Sequence, residues 1–117
     1  MSMYAIVSKG GNVLLVRDSI TNLWQCPGIL EDSEEKLIQY FSTDFGINIT
    51  LGEMVFSNVS STGKKYSFFE VVRVTGAFKA PDKIEYKWAD VTLFDKLDVR
   101  INHKIAIMKA NSHKLFG

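Results

Sequence analysis

Residues 34 to 45 constrain this chain more than any other segment, because they read as one amphipathic helix with both ends specified. Ser33 is a suitable N-cap, Glu34 and Glu35 suit the positive end of the helix dipole, and Gly46 supplies the left-handed stop. Leu37, Ile38, Phe41 and Phe45 recur at helical spacing and predict the inward face of about three turns. Strand-forming sequence follows at once. It predicts one or two strands from Asn48 to Val59, broken near Gly52, a turn at Ser60-Ser61-Thr62-Gly63, and a strand from Lys65 to Thr75, where Tyr, Phe and Val are frequent.

Ahead of the helix, Tyr4–Ser8 and Val13–Arg17 are apolar runs around Lys9-Gly10-Gly11-Asn12, which predicts a β-hairpin. Residues 18 to 32 read as a loop. After Pro81, Ile84–Trp88 predicts a short strand and Val91–Leu97 a strand end with a turn. Asn102 is placed to cap a last helix over about residues 103 to 114, with Ile105 and Met108 facing inward. The order β-β-loop-α-β-β-β-α predicts an α+β or α/β sandwich with antiparallel or mixed strands, and excludes an alternating doubly wound sheet.

At 117 residues the chain is expected to form one domain, 1–117. Area scaling for this length buries about two-thirds of the unfolded surface, enough for a core without staples. Fourteen basic and thirteen acidic residues leave a net charge of +1, which argues against a cationic nucleic-acid clamp or a polybasic membrane binder. No apolar run approaches the roughly 20 residues that span a bilayer, and no basic segment precedes an apolar one at the start, so a cytoplasmic protein is expected. The single cysteine, Cys26, excludes an intrachain disulfide and a cysteine-built zinc site. With histidine present only at His103 and His113, in the predicted last helix, Cys26 reads as a small buried side chain rather than a nucleophile.

Three pieces in order resemble the Nudix superfamily of MutT-like proteins: the hairpin Ala5 to Arg17, the loop Leu23-Trp24-Gln25-Cys26-Pro27-Gly28, and the helix close Asp44-Phe45-Gly46-Ile47. The resemblance implies a Nudix-like α/β/α sandwich with a mixed, partly antiparallel sheet. It also implies a pyrophosphohydrolase acting on acid anhydrides with Mg²⁺ or Mn²⁺. The box itself is shortened and degenerate. From Gly28 to Gly46 it is three residues shorter than the family signature, and its helix glutamates fall on Tyr40, Thr43 and Asp44. One carboxylate stands where the family has three.

Splitting an anhydride at neutral pH generally uses a divalent cation to neutralise phosphate charge and activate water. Carboxylates at i, i+3 and i+4 share one helix edge and suit that ion. Here Asp44 reads either as a residual metal ligand and catalytic group or as an ordinary acid at a helix end. Glu34 and Glu35, in the run Glu31-Asp32-Ser33-Glu34-Glu35, read either as an alternative metal site or as a solvated cap; about 14 to 15 Å along the axis from Asp44, they share an ion with it only if the loop folds back. Glu85 is a candidate catalytic base approaching from another strand, as bases sometimes do in this family. Arg17, Trp24 and Gly28 are candidate ligand contacts: a cation for phosphate, a ring for a base, and a glycine that lets backbone approach closely. For Trp24 the alternative is a loop anchor, and Tyr66, Phe68, Phe69 and Trp88 read as packing.

The reading that follows is a protein with an eroded hydrolase box that binds a nucleotide or nucleoside-diphosphate-linked ligand with little or no turnover. Two alternatives stand beside it. One is an active Mg²⁺-dependent pyrophosphohydrolase with an atypical metal site. The other is a non-catalytic interaction domain. A homodimer is compatible with each.

Overall fold

The computed structural model describes residues 1–116, with the side chains at 93, 95 and 113–116, and therefore that of His113, outside the description. Eight strands form two four-stranded sheets: β1 (Ser2–Ile6), β2 (Ser8–Lys9), β3 (Asn12–Arg17), β4 (Trp24–Gln25), β5 (Gly28–Ile29), β6 (Ile47–Val59), β7 (Lys65–Gly76) and β8 (Tyr86–Asp90). Two helices, α1 (Glu34–Phe45) and α2 (Ile101–Phe116), and a 3-10 turn at Val91–Lys96 complete the described residues. The first sheet is mixed and runs β5-β1-β7-β6, with β1 parallel to β7 and the other pairs antiparallel. The second is antiparallel: β3 pairs with β2 and β4, and also with β8.

β1 is buried along its whole length because both of its faces are covered. Alternation sends Met3, Ala5 and Val7 into one core with Leu37, Phe41 and Phe45 of α1. Tyr4 and Ile6 enter a second core with Ala106, Ile107 and Ala110 of α2. The result is an α/β/α sandwich, as the resemblance implies.

α1 has the predicted bounds and caps. Ser33 is extended at φ −147°, its hydroxyl accepts the Lys36 amide at 3.2 Å, and Gly46 sits at φ 68°. Its buried face is narrower than expected. Ile38 is 36% exposed, leaving Leu37, Phe41 and Phe45 to fill the core. Gly52 does not break β6. The strand runs through it with register shifts between Thr50 and Phe56, and a Cβ at Gly52 would lie 2.6 Å from Val72 Cγ1. The last helix starts at Ile101 rather than behind an Asn102 cap, and its inward face is His103, Ala106, Ile107 and Ala110. Met108 is 58% exposed instead of buried.

The hairpin forms at Gly10-Gly11, but its first arm is shorter than expected. Ser8 and Lys9 pair with Val13 and Asn12, and the Leu14 amide donates to the Val7 carbonyl at 2.9 Å; before that point the chain belongs to the other sheet. A second change of sheet comes at Cys26-Pro27, between β4 and β5, within what reads as a loop. The two crossings are adjacent: the Ala5 amide donates to the Pro27 carbonyl at 3.1 Å.

A buried amide that leaves a ladder needs another acceptor. The Cys26 amide donates to His103 Nδ1 at 3.0 Å, and His103 is 1% exposed. The ring meets Tyr4 and Phe68 edge-on, with centroids 4.4 and 4.8 Å away. Since Nδ1 accepts, the proton of the neutral ring is on Nε2, which has no hydrogen-bond partner among the described residues. Burial, with the Arg100 charge, pushes the His103 pKa down to about 3. The same burial pushes the Cys26 thiol up, so it does not ionise near neutrality.

Two outcomes are expected. Because the unfolded histidine binds a proton that the folded one refuses, stability should fall as pH drops from about 6.5 towards 4.5, above most carboxylate titration. Urea midpoints should show this slope in the wild type and a clearly flatter one in His103→Gln; equal slopes would mean the ring is not held neutral. Gly28→Ala places a Cβ 2.3 Å from both Met3 O and Tyr4 Cδ1. Overpacking of this kind should lower unfolding free energy by about 1–3 kcal/mol in the same assay.

Candidate functional site

The expected metal ligands start from α1. Asp44 lies in its last turn, half-buried, next to Tyr40 and Thr43, and faces a depression shared with Lys79, Ala80 and Pro81. Burial, helped by the Asp44 charge, pushes the Tyr40 hydroxyl up to about 12, so Tyr40 stays a neutral phenol. Glu34 and Glu35 are exposed in the first turn, about 15 Å away along the axis at 1.5 Å per residue. Nearby, Glu31 is engaged by Lys36 Nζ at 2.6 Å. Among the described residues no three His, Cys, Asp or Glu side chains come together in a group that could hold a metal ion. A resident Mg²⁺ or Mn²⁺ wants several hard oxygen ligands in octahedral array. The donor set on α1 does not fit one.

Three other expected residues are brought together, but they satisfy one another. Arg17 Nη1 lies 3.3 Å from both carboxylate oxygens of Glu85, and the Arg17 amide donates to the Glu85 carbonyl at 3.0 Å. The Arg17 guanidinium lies 5.4 Å from the Trp24 ring centroid and Lys87 Nζ lies 5.2 Å from it. Trp24 is 7% exposed. Its amide donates to Asp98 O, and its carbonyl accepts from the Arg100 amide, so it ties the approach to α2 onto the second sheet. Gly28 does permit close approach, and what approaches is Tyr4 of the neighbouring strand.

A cleft of about 600 Å³ opens elsewhere, where the two sheets diverge. Lys9 of β2, Glu70 and Arg73 of β7, Phe78 from the segment between β7 and β8, and Trp88 of β8 line it. No spacing pattern connects these residues in sequence, and only the tertiary fold gathers them. Asp44, Glu85, Arg17, Trp24 and Gly28 do not line it. No helix among the described residues is long and apolar enough to cross a membrane.

Neither a family model nor a curated protein matches this sequence. Solved structures do match the fold. A MutT structure described for Aliivibrio salmonicida and Vibrio cholerae superposes with a TM-score of 0.77 at 12% identity, covering 96% of each chain. A C. elegans Ap4A hydrolase binary complex gives 0.73 at 12% identity over 100% of both chains. The NUDIX domain of Shewanella oneidensis NrtR, complexed with ADP ribose, gives 0.70 at 16% identity over 96% of this chain and 86% of that one. At such identities the likeness speaks for architecture alone, and the architecture of this chain is the Nudix-like fold.

Proposed function

We propose that this protein binds a nucleotide or a nucleoside-diphosphate-linked small molecule and turns it over little or not at all. The observation that carries the reading is the scatter of carboxylates along α1. Asp44 stands with a neutral phenol and a threonine, while Glu34 and Glu35 face solvent at the other end of the helix. A lone, partly exposed carboxylate binds Mg²⁺ weakly, because most of the ion's ligands remain water. Glu85 pairs with Arg17 and does not line the depression at Asp44. The fold supports the ligand class: its structural neighbours include a hydrolase of Ap4A and a domain complexed with ADP ribose. A buried, un-ionised Cys26 suits a reducing cytosol.

Two measurements on the purified chain test this together. Thermal melting with ADP-ribose, Ap4A, ADP and nucleoside triphosphates, in EDTA, should show a raised midpoint for at least one. A ligand at a hundredfold excess over its Kd adds about 2.7 kcal/mol to the native state. Incubation of the same compounds with Mg²⁺ or Mn²⁺ should release little nucleoside monophosphate or phosphate. Brisk EDTA-sensitive cleavage lost in Asp44→Asn would replace the reading with an active pyrophosphohydrolase. A melting point indifferent to every nucleotide, with and without metal, would remove ligand binding and leave an interaction domain.

A further inference from the structure

We propose that the ligand of this protein sits in the cleft between the diverging sheets, with its phosphate on Lys9 and Arg73 and its aromatic ring on Trp88; this rests on the nucleotide-binding reading and gives it a location. The cleft exists because the chain leaves the first sheet at Val7. β1 covers β7 only from Tyr66 to Glu70, so Val71–Gly76 keeps β6 on one edge and has no strand on the other among the described residues. That open edge supplies backbone donors and acceptors beside a volume within the roughly 300–1,000 Å³ typical of small-molecule sites.

The lining narrows the chemistry. Lys9 comes from one sheet and Arg73 from the other. Neither has an ion-pair partner among the described residues, so both are available to an anion. Trp88 meets Phe78 edge-on at 5.4 Å, and Phe78 is itself held by stacking on Phe45 at 5.5 Å. This fixes two rings in the wall without neutralising either cation. Glu70 lines the same cleft and can accept from a hydroxyl or amino group. Two cations, anchored rings and one acceptor suit a flat aromatic compound that carries phosphate and hydroxyl or amino donors, which describes a nucleoside phosphate. One carboxylate in the wall is too few to seat a divalent cation, so binding there needs none.

The test is calorimetric titration of ADP, in EDTA, into the full chain and into Lys9→Ala, Arg73→Glu and Lys65→Ala. All three substituted residues are exposed, and equal melting points would show that each variant folds. Losing a charge-assisted phosphate contact should weaken ADP by about tenfold in Lys9→Ala and more in Arg73→Glu. Lys65→Ala, at the far end of β7 and outside the cleft, should stay within about twofold, since exposed charges at that range are screened. If the wild type binds ADP and the Lys9 and Arg73 variants match it, the location is wrong and nucleotide binding stands. If the wild type binds neither ADP nor any other nucleotide, both proposals fall.

Discussion

The Cys26 amide bonded to His103 is the contact on which the rest of the arrangement depends. Two short strands leave one sheet for the other at Val7 and at Cys26-Pro27, and each departure frees backbone groups inside the protein. An unmet amide there would cost about 1–3 kcal/mol. A neutral imidazole meets it, and it does so from α2, almost eighty residues later in the chain. Thus the helix that closes the second core is registered against the crossing that creates the second sheet. The Tyr4 and Phe68 rings around His103 keep water out and the ring uncharged.

The crossings also account for the shape of the molecule. Because β1 stops covering β7 at Glu70, the sheets open into a cleft at that end, whereas the opposite end is filled by Tyr4, Phe56, Phe68 and His103. Packing has consumed one side and left the other accessible. The aromatic residues divide accordingly: Tyr4 and Phe68 make core, while Phe78 and Trp88 reach the cleft wall.

Within a Nudix-like fold, α1 here serves packing first. Leu37, Phe41 and Phe45 are fully buried, and Tyr40 touches both Phe41 and Phe45 edge-on. A phenol at this position belongs to the core boundary, and the burial that raises its pKa makes it a poor ligand for a hard cation. Arg17, Glu85 and Trp24, which sequence reasoning singles out for chemistry, instead brace β3, β4 and β8 through an exposed ion pair and a cation held near a ring. An ion pair as exposed as this one contributes little stability, so its role is to orient.

What could be read from the residues alone is whatever local chemistry decides. The bounds of α1 follow from Ser33 and Gly46, whose capping is a property of a few neighbouring positions, and the long β6–β7 ribbon follows from β-forming residues around a Ser-Thr-Gly turn. The hairpin turn at Gly10-Gly11 is legible because its chemistry is local, whereas the length of the first arm is not, because the change of sheet at Val7 is set elsewhere. Val7 is apolar in either arrangement, and only the competing partner, β7, determines which sheet the preceding residues join. The inward face of α2 is not legible for a similar reason. Periodicity permits Ile105 and Met108, yet the need to place His103 beside Cys26 rotates the helix onto His103, Ala106 and Ile107. The cleft is the extreme case, since Lys9, Glu70, Arg73, Phe78 and Trp88 are joined by no spacing. Sequence by itself determined both helices, the long β6–β7 ribbon and the separation of Glu34 and Glu35 from Asp44 along α1, because these follow from local pattern and position. Tertiary structure alone decided which sheet each strand enters and which side chains meet, because those outcomes are set by competition among distant partners for burial and hydrogen bonds.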